Sequence, residues 1–245
     1  MEGFETAASF GYEASLRYDD EDTRGDEDET VAFLASLADG GDALEFAAGT
    51  GRIALPLMRA GVRVDAIELS TYMIDRMREK EVGEQVKVVA GDMASVKSGR
   101  SYRLVYLIYN TIGNLLTQAD QVKCFENAAH HLQADGLFVL ECRIPRAPAR
   151  SGRQFVDAER IEVDHVILDV CSYDPVTQIL DENHVRVGID GVTLNPIRLR
   201  LANPPEFDLM ARLAGLSLKV RWGGWRDEPF NANSWRHVSV YEWAR

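Results

Sequence analysis

The sequence predicts an α/β fold: a seven-stranded, mostly parallel sheet with helices on both faces and a small antiparallel β insertion after the fifth strand. Three observations predict it. From Ala43 to Glu141, short apolar runs of strand length alternate with segments of helical periodicity, the pattern of parallel strands joined by crossover helices. The first apolar run passes into a helix through Gly49-Thr50-Gly51, a turn without Cβ atoms at two of its three positions. After Cys142 the periodicity switches to two, with hairpin signals, until Ala202.

At 245 residues the chain can bury one large core and is short for two full domains. A single domain over residues 1–245 is expected, with an arm at 1–30 and the insertion at 143–202 acting as a lid or dimer layer. With 39 acidic against 27 basic residues, the net charge of -12 opposes affinity for a phosphate backbone, so nucleic acid is excluded as a partner. The start carries neither a basic flank nor an apolar core of signal-peptide type. Nowhere do eighteen apolar residues run together, so no membrane partner and a cytoplasmic location are expected. Cys124, Cys142 and Cys171 lack metal-ligand spacing and read as small apolar fillers. The five histidines show no H-E-x-x-H pattern, and no metal is expected.

In chain order, Phe10, Tyr12, Leu16 and Tyr18 recur at helical spacing ahead of an acidic run, predicting a short helix in the arm. Val31, Phe33, Leu34 and Leu37 mark a second helix that stops at Asp39-Gly40-Gly41. The first strand carries Glu45 and Phe46 into the glycine turn. Ile53, Leu55, Leu57 and Met58 then form a helix in which Pro56 predicts a late start or an irregularity. The second strand, 63–67, delivers Glu68 and Leu69, and Ser70 caps a helix with Met73, Ile74 and Met77 inward. The third strand, 86–90, ends in Gly91-Asp92-Met93. The fourth, 103–109, ends in Tyr109 and leads to Asn110-Thr111-Ile112-Gly113-Asn114. Thr117 and Asp120 form a capping pair for a helix over 118–132, in which His130 and His131 suit the C-terminal end of the helix dipole. A fifth strand covers 137–141.

In the insertion, the alternation from Ile161 to Val170, the Asp174-Pro175 turn and the Asp190-Gly191 hairpin predict three antiparallel strands. Asn203-Pro204-Pro205 reads as an N-cap with prolines entering a helix over 207–214. Strands at 216–222 and 237–243 close the chain around a long aromatic connection with Trp225, Phe230 and Trp235, which wall an apolar pocket or pack beneath the loop. Arg143, Arg146, Arg150 and Arg153 cluster after the fifth strand and are candidates to bind an anionic substrate group.

Glu45-Phe46-Ala47-Ala48-Gly49-Thr50-Gly51 resembles the first motif of the class I S-adenosylmethionine-dependent methyltransferases, an acidic residue followed by Gly-x-Gly-x-Gly, with Ala47 in place of the first glycine. Glu68 and Gly91-Asp92-Met93 match the family's second and third motifs in order. The resemblance implies the Rossmann-like form of the α/β fold and S-adenosyl-L-methionine as cofactor. It assigns cofactor contact to Tyr18, Glu45, Phe46, Ala47, Gly49, Gly51, Glu68, Leu69, Met73, Gly91, Asp92, Met93, Tyr109 and Asn110. In that reading Glu45 favours the cofactor's amine, Glu68 accepts the ribose hydroxyls and Asp92 accepts the adenine amino group. Tyr12 and Tyr18 in the arm lie near the methionine part, and the transferred methyl lies by Asn110-Thr111-Ile112-Gly113-Asn114. Ala47 is expected to keep a negative φ.

The inserted sheet resembles that of the sugar N-methyltransferase branch and of glycine N-methyltransferase. This implies methyl transfer to nitrogen or oxygen of a small molecule, an amino sugar or natural-product intermediate, with the sheet serving either as a lid or as the layer that forms a homodimer. No catalytic residue is assigned. His165 and His237 are candidates for a base only if the substrate needs one. Two other classes stay open: a nicotinamide oxidoreductase, which would share Glu68 and Gly49-x-Gly51-x-x-Ala54, and a non-catalytic cofactor-binding protein.

Overall fold

The computed structural model describes residue 4 and residues 9–21, 24–145 and 154–245. The arm forms α1 (Tyr12–Glu21), followed by α2 (Glu27–Ala38). The alternating region comprises β1 (Ala43–Phe46), α3 (Ala54–Arg59), β2 (Val64–Glu68), α4 (Thr71–Arg78), β3 (Lys87–Ala90), β4 (Tyr102–Leu107), α5 (Gln118–His131) and β5 (Leu132–Arg143). The insertion contributes β6 (Gln154–Ile161), β7 (His165–Asp174), β8 (Ile179–Gly188) and β9 (Gly191–Arg200). The chain closes with α6 (Pro204–Leu213), β10 (Leu216–Trp222) and β11 (Arg236–Trp243).

The seven-stranded sheet has the order β10-β11-β5-β4-β1-β2-β3. Its central pairs are parallel, and β11 runs antiparallel to both β5 and β10. Period-two alternation in the strands sends Leu44, Phe46, Val105 and Phe138 to the face covered by α5 and α6 through Phe125 and Phe207. It sends Ala43, Val64 and Tyr106 to the face covered by α2 and α3 through Leu34 and Leu57. Order reverses between β1 and β4, so the ligand crevice of such a sheet lies over the carboxyl ends of these strands.

Local sequence explains most boundaries. Pro56 falls in the first turn of α3, where its missing N–H has no intrahelical partner, and the helix accordingly starts at Ala54. The Ser70 and Thr117 hydroxyls accept the backbone N–H groups of Met73 and Asp120 as caps. Asn203 precedes α6 with prolines at its first two positions.

Three departures matter. First, β4 ends at Leu107, before the predicted boundary, because Tyr109 and Asn110 adopt φ of +59° and +61°, incompatible with a strand. Second, β5 begins directly after α5, with a register shift that absorbs the Asp135-Gly136 turn. Third, the insertion sheet has four strands in the order β6-β7-β8-β9, correcting the expected three. The alternation from Ile161 to Val170 is divided by a turn in which Glu162 N–H donates to the His165 carbonyl, and the charged segment before it forms the extra strand.

A buried polar knot fastens this second sheet to the first domain layer. Arg200, at the end of β9, donates to Gln121, Gln178 and Glu206, while the Gln121 amide donates to the carbonyls of Ile112, Leu115 and Arg200. No helix among the described residues is long and apolar enough to cross a membrane.

Candidate active site

The strand-to-helix turn after β1 is built from left-handed residues: Ala47, Gly49 and Gly51 have φ of +52°, +57° and +79°. The expectation of a negative φ at Ala47 is therefore corrected. The turn must reverse tightly to let Ala48 N–H donate to Ile67 and Gly51 N–H to Ala48, and that path fixes the alanine in the region a glycine would occupy freely. An L-residue there costs about 1 kcal/mol. Ala47→Gly should raise stability by about that amount in urea unfolding, whereas the same change at a negative-φ site lowers it. Gly51 is excluded from bearing a side chain by packing, since a Cβ would stand 2.8 Å from Met77 Cγ. Gly49 faces Tyr18 across more open space, with the ring 3.8 Å from where a Cβ would be.

Glu45 lies one layer beneath this turn. It is buried, accepts the Tyr106 hydroxyl at 3.1 Å and the Ala54 N–H, and so supports the start of α3 from below. Burial pushes its carboxyl up to about 8, with Glu68 adding in the same direction. Because the folded chain then holds a proton that the unfolded chain releases near pH 4.5, stability should fall as pH rises from about 4.5 to about 8. Glu45→Gln should flatten much of that decline, on the order of a few kcal/mol, in unfolding curves across this range. A slope unchanged by the substitution would contradict the assignment.

Glu68 closes β2 and joins two turns. One carboxylate oxygen accepts Gly49 N–H at 2.8 Å and the other accepts Ser70 N–H at 2.7 Å. Burial raises its proton affinity while these N–H groups oppose the rise. Beside it Leu69 is exposed on the rim and Met73 is buried on the inner side of α4.

At the end of β3, Gly91 has φ +147°, and a Cβ there would collide with Val96 at 2.3 Å. Its N–H donates to the Glu68 carbonyl. Asp92 is exposed and accepts Ala94 N–H at 2.7 Å, and Met93 is buried. Asn127 of α5 anchors this turn by donating to the carbonyls of Met93 and Val96, a clamp that an isolated helix asparagine does not signal in sequence. Phe46 is wholly in the core.

Between the glycine turn and the substrate side stand Tyr109 and Asn110, two consecutive non-glycine residues with positive φ. Glu141, fully buried at the end of β5, holds them. Its Oε2 accepts Tyr109 N–H at 2.6 Å, its Oε1 accepts Arg24 at 3.0 Å, and its backbone carbonyl accepts Asn110 N–H. The Arg24 guanidinium lies 4.2 Å from the Tyr109 ring centre, and Arg52 lies 4.4 Å from that of Tyr18. The arm is thereby folded over the glycine turn: Thr50 donates to Asp19, Lys80 pairs with Asp19, and Ser70 donates to the Phe10 carbonyl. Tyr12 instead packs edge-on against Tyr72 and is exposed.

A cavity of about 740 Å³ opens from Asn110 toward the inner face of the insertion sheet. Asp157, Asp169 and Glu182 supply carboxylates from three neighbouring strands, and Phe155, Tyr173 and Trp235 supply aromatic surface. Arg143 also lines it, whereas Arg146, Arg150 and Arg153 lie outside the described residues. Trp225 packs on Phe33 in the core, so the three loop aromatics divide between the two roles open to them. His237 is buried against Phe207 and Phe230, and burial drives its imidazole down to about 3. His165 pairs with Asp164. His131 is no charged dipole partner: its Nδ1 lies 2.8 Å from the Asn127 carbonyl, its Nε2 accepts Ser98 N–H, and burial lowers its proton affinity.

The structure thus brings together Glu45, Glu68, Ala47, Gly49 and Tyr18 around the turn, with Tyr109 and Asn110 leading to the cavity and Asp92 on the exposed rim. These residues fit an adenosyl-amino-acid ligand. A carboxylate offers about four lone-pair sites. Gly49 and Ser70 take one on each oxygen of Glu68 and the Leu69 N–H also favours its charged form, which leaves acceptor capacity for a hydroxyl. The Tyr109 hydroxyl and the Asn114 amide oxygen are buried without a partner among the described residues.

Residues 43–136 match the family model described as a methyltransferase domain. The CcbJ methyltransferase of Streptomyces caelestis is 34% identical, with 97% of this chain and 98% of that chain covered and a TM-score of 0.90. The cypemycin N-terminal methyltransferase of a Streptomyces species is 27% identical over 218 residues, covering 86% of this chain and 88% of that protein. The fold also matches CalS10, an amino pentose methyltransferase from Micromonospora echinaspora solved with S-adenosylmethionine, at 20% identity, 95% and 96% coverage and a TM-score of 0.69.

Proposed function

The chain belongs to the class I S-adenosylmethionine-dependent methyltransferases acting on small molecules, and from that premise we propose that it methylates an amine nitrogen of its substrate. The observation that carries the choice of nitrogen is the wall of the 740 Å³ cavity, where carboxylates from three adjacent strands face a space that begins at Asn110. With three carboxylates against the one guanidinium of Arg143, such a wall favours a cationic group over an anionic one. The names of the related cypemycin N-terminal methyltransferase and the amino pentose methyltransferase support the same reading. An amino sugar or an amine-bearing natural-product intermediate has the size and mixed polarity that the lining suits.

When bound, S-adenosylmethionine supplies an electrophilic methyl group on a sulfonium. The chain's own part is alignment and exclusion of water. In this reading Glu68 receives the ribose hydroxyls, and the bare backbone at Gly49 admits the amino-acid part under Tyr18. Leu69, Asp92 and Met93 border the adenine. Glu45 and Gly51 keep the turn in shape from beneath, and Tyr109 and Asn110 define the passage between cofactor and substrate.

Incubation with methyl-labelled S-adenosylmethionine and a panel of primary and secondary amines, with their alcohol counterparts, tests the reading. Label should appear on amines. Label carried only by alcohols would overturn the choice of nitrogen.

A further inference from the structure

The carboxylates of the cavity are not equivalent. Asp169 is paired at 2.6 Å with His184, which also approaches Glu159 at 3.5 Å, and Asp157 is exposed at the outer edge. Glu182 stands further in. It is cross-strand from Cys171 on β7 and Ile197 on β9, two register positions from the Tyr173–Leu180–Leu199 row and so on the same face of the sheet. Its one hydrogen-bond partner among the described residues is the Cys171 thiol at 3.6 Å, a weak donor. The charged groups acting on it are His184 from its own strand, Asp169 from β7 and Arg143 from β5. This is a half-buried carboxylate with unused acceptor capacity, in the same cavity as Asn110.

An amine reaching this site at neutral pH arrives as an ammonium ion, which has no lone pair to attack a methyl group. It must lose a proton inside the cavity. We infer that Glu182 is the counter-ion of the substrate ammonium and the acceptor of its proton. The N–H bond breaks with its electron pair left on nitrogen, and the proton forms an O–H bond with a Glu182 carboxylate oxygen, leaving a neutral amine beside a neutral acid. Burial outweighs the opposing charges of His184 and Arg143 and, with Asp169 adding to it, raises the proton affinity of Glu182, which favours this direction of transfer. The inference rests on the reading of the cavity as the amine site.

Benzylamine hydrochloride and benzyl alcohol serve as a charged and neutral pair of nearly equal shape. Both are titrated into the full chain saturated with S-adenosylhomocysteine, as wild type, Glu182→Gln and the edge control Asp157→Asn. Wild type should bind the amine about tenfold more tightly than the alcohol. Glu182→Gln should abolish that preference and leave alcohol binding unchanged, and Asp157→Asn should keep most of it. In carbon-labelled protein, the Glu182 carboxyl signal, identified by its absence from the Gln variant, should move to the protonated position when benzylamine binds.

Equal binding of amine and alcohol, or a preference that survives Glu182→Gln, overturns the counter-ion role. A Glu182 signal that stays ionised in the amine complex overturns the proton transfer. Intact S-adenosylhomocysteine binding in either case leaves the methyltransferase reading standing, whereas loss of that binding in wild type would strike at the reading itself. A Gln variant that fails to fold is replaced by the wild-type carboxyl titration with and without benzylamine, which decides the proton transfer on its own.

Discussion

Replacing Glu68 by alanine should weaken binding of S-adenosylhomocysteine by about 100-fold, measured calorimetrically. The magnitude follows from two hydrogen bonds to a charged acceptor at about 1.5 kcal/mol each, where about 1.4 kcal/mol is a factor of ten. The geometry adds a second loss. Among the described residues, Glu68 is the only side chain hydrogen-bonded to both the glycine turn at Gly49 and the turn at Ser70, so its removal frees two backbone donors and loosens both walls of the proposed nucleoside site. Glu68→Gln should fall between wild type and alanine, because its single carbonyl can satisfy one turn but its NH₂ opposes the other N–H. An affinity loss under threefold for alanine would remove Glu68 from the cofactor site.

Glu141→Ala should be the most destabilising single change near the site, by about 3–5 kcal/mol, because it leaves a partly buried guanidinium and a backbone donor without their shared acceptor. Arg24 and Tyr109 N–H both end on this carboxylate, and Tyr109 and Asn110 are held in a backbone conformation that costs about 1–2 kcal/mol per residue. Relaxation of that pair toward ordinary φ would move Asn110 away from the cavity mouth. Methyl transfer should therefore fall even at temperatures where the variant stays folded. Glu141→Gln, which keeps an acceptor for Tyr109 but loses the ion pair, should lose stability and retain much of the transfer. A Glu141→Ala protein as stable as wild type would show that the strain at Tyr109 is held by something else.

Sequence carries local information well and cross-chain partnerships poorly, and the particular residues show why. The glycine turn, the acid that ends β2 and the Gly91-Asp92 turn are legible because each is a backbone requirement written in adjacent residues. The positive φ of Ala47 is not, since alanine gives no sign of the left-handed region; the turn hydrogen bonds from Ala48 to Ile67 and from Gly51 to Ala48 impose it. Glu141 reads as the last residue of a buried strand because its partners, Arg24 and Tyr109, lie 117 and 32 residues away. Asn127 is hidden for the same reason, as a polar residue in a helix whose donors serve a loop more than 30 positions earlier. The strand Gln154–Ile161 is obscured because charges interrupt its alternation. Its residues Phe155 and Asp157 turn inward to line the cavity. Seen along the chain, Asp157, Asp169 and Glu182 are ordinary surface acids; only pairing across β6, β7 and β8 gathers them on one wall.

The assignment of the cofactor site stands or falls on a crystal structure of the full chain with S-adenosylhomocysteine. The ribose should lie on the Glu68 carboxylate and the adenine toward Asp92. The sulfur should face the passage at Asn110, with the cavity open beyond it. A nucleoside bound elsewhere, or a sulfur walled off from that cavity, would contradict it.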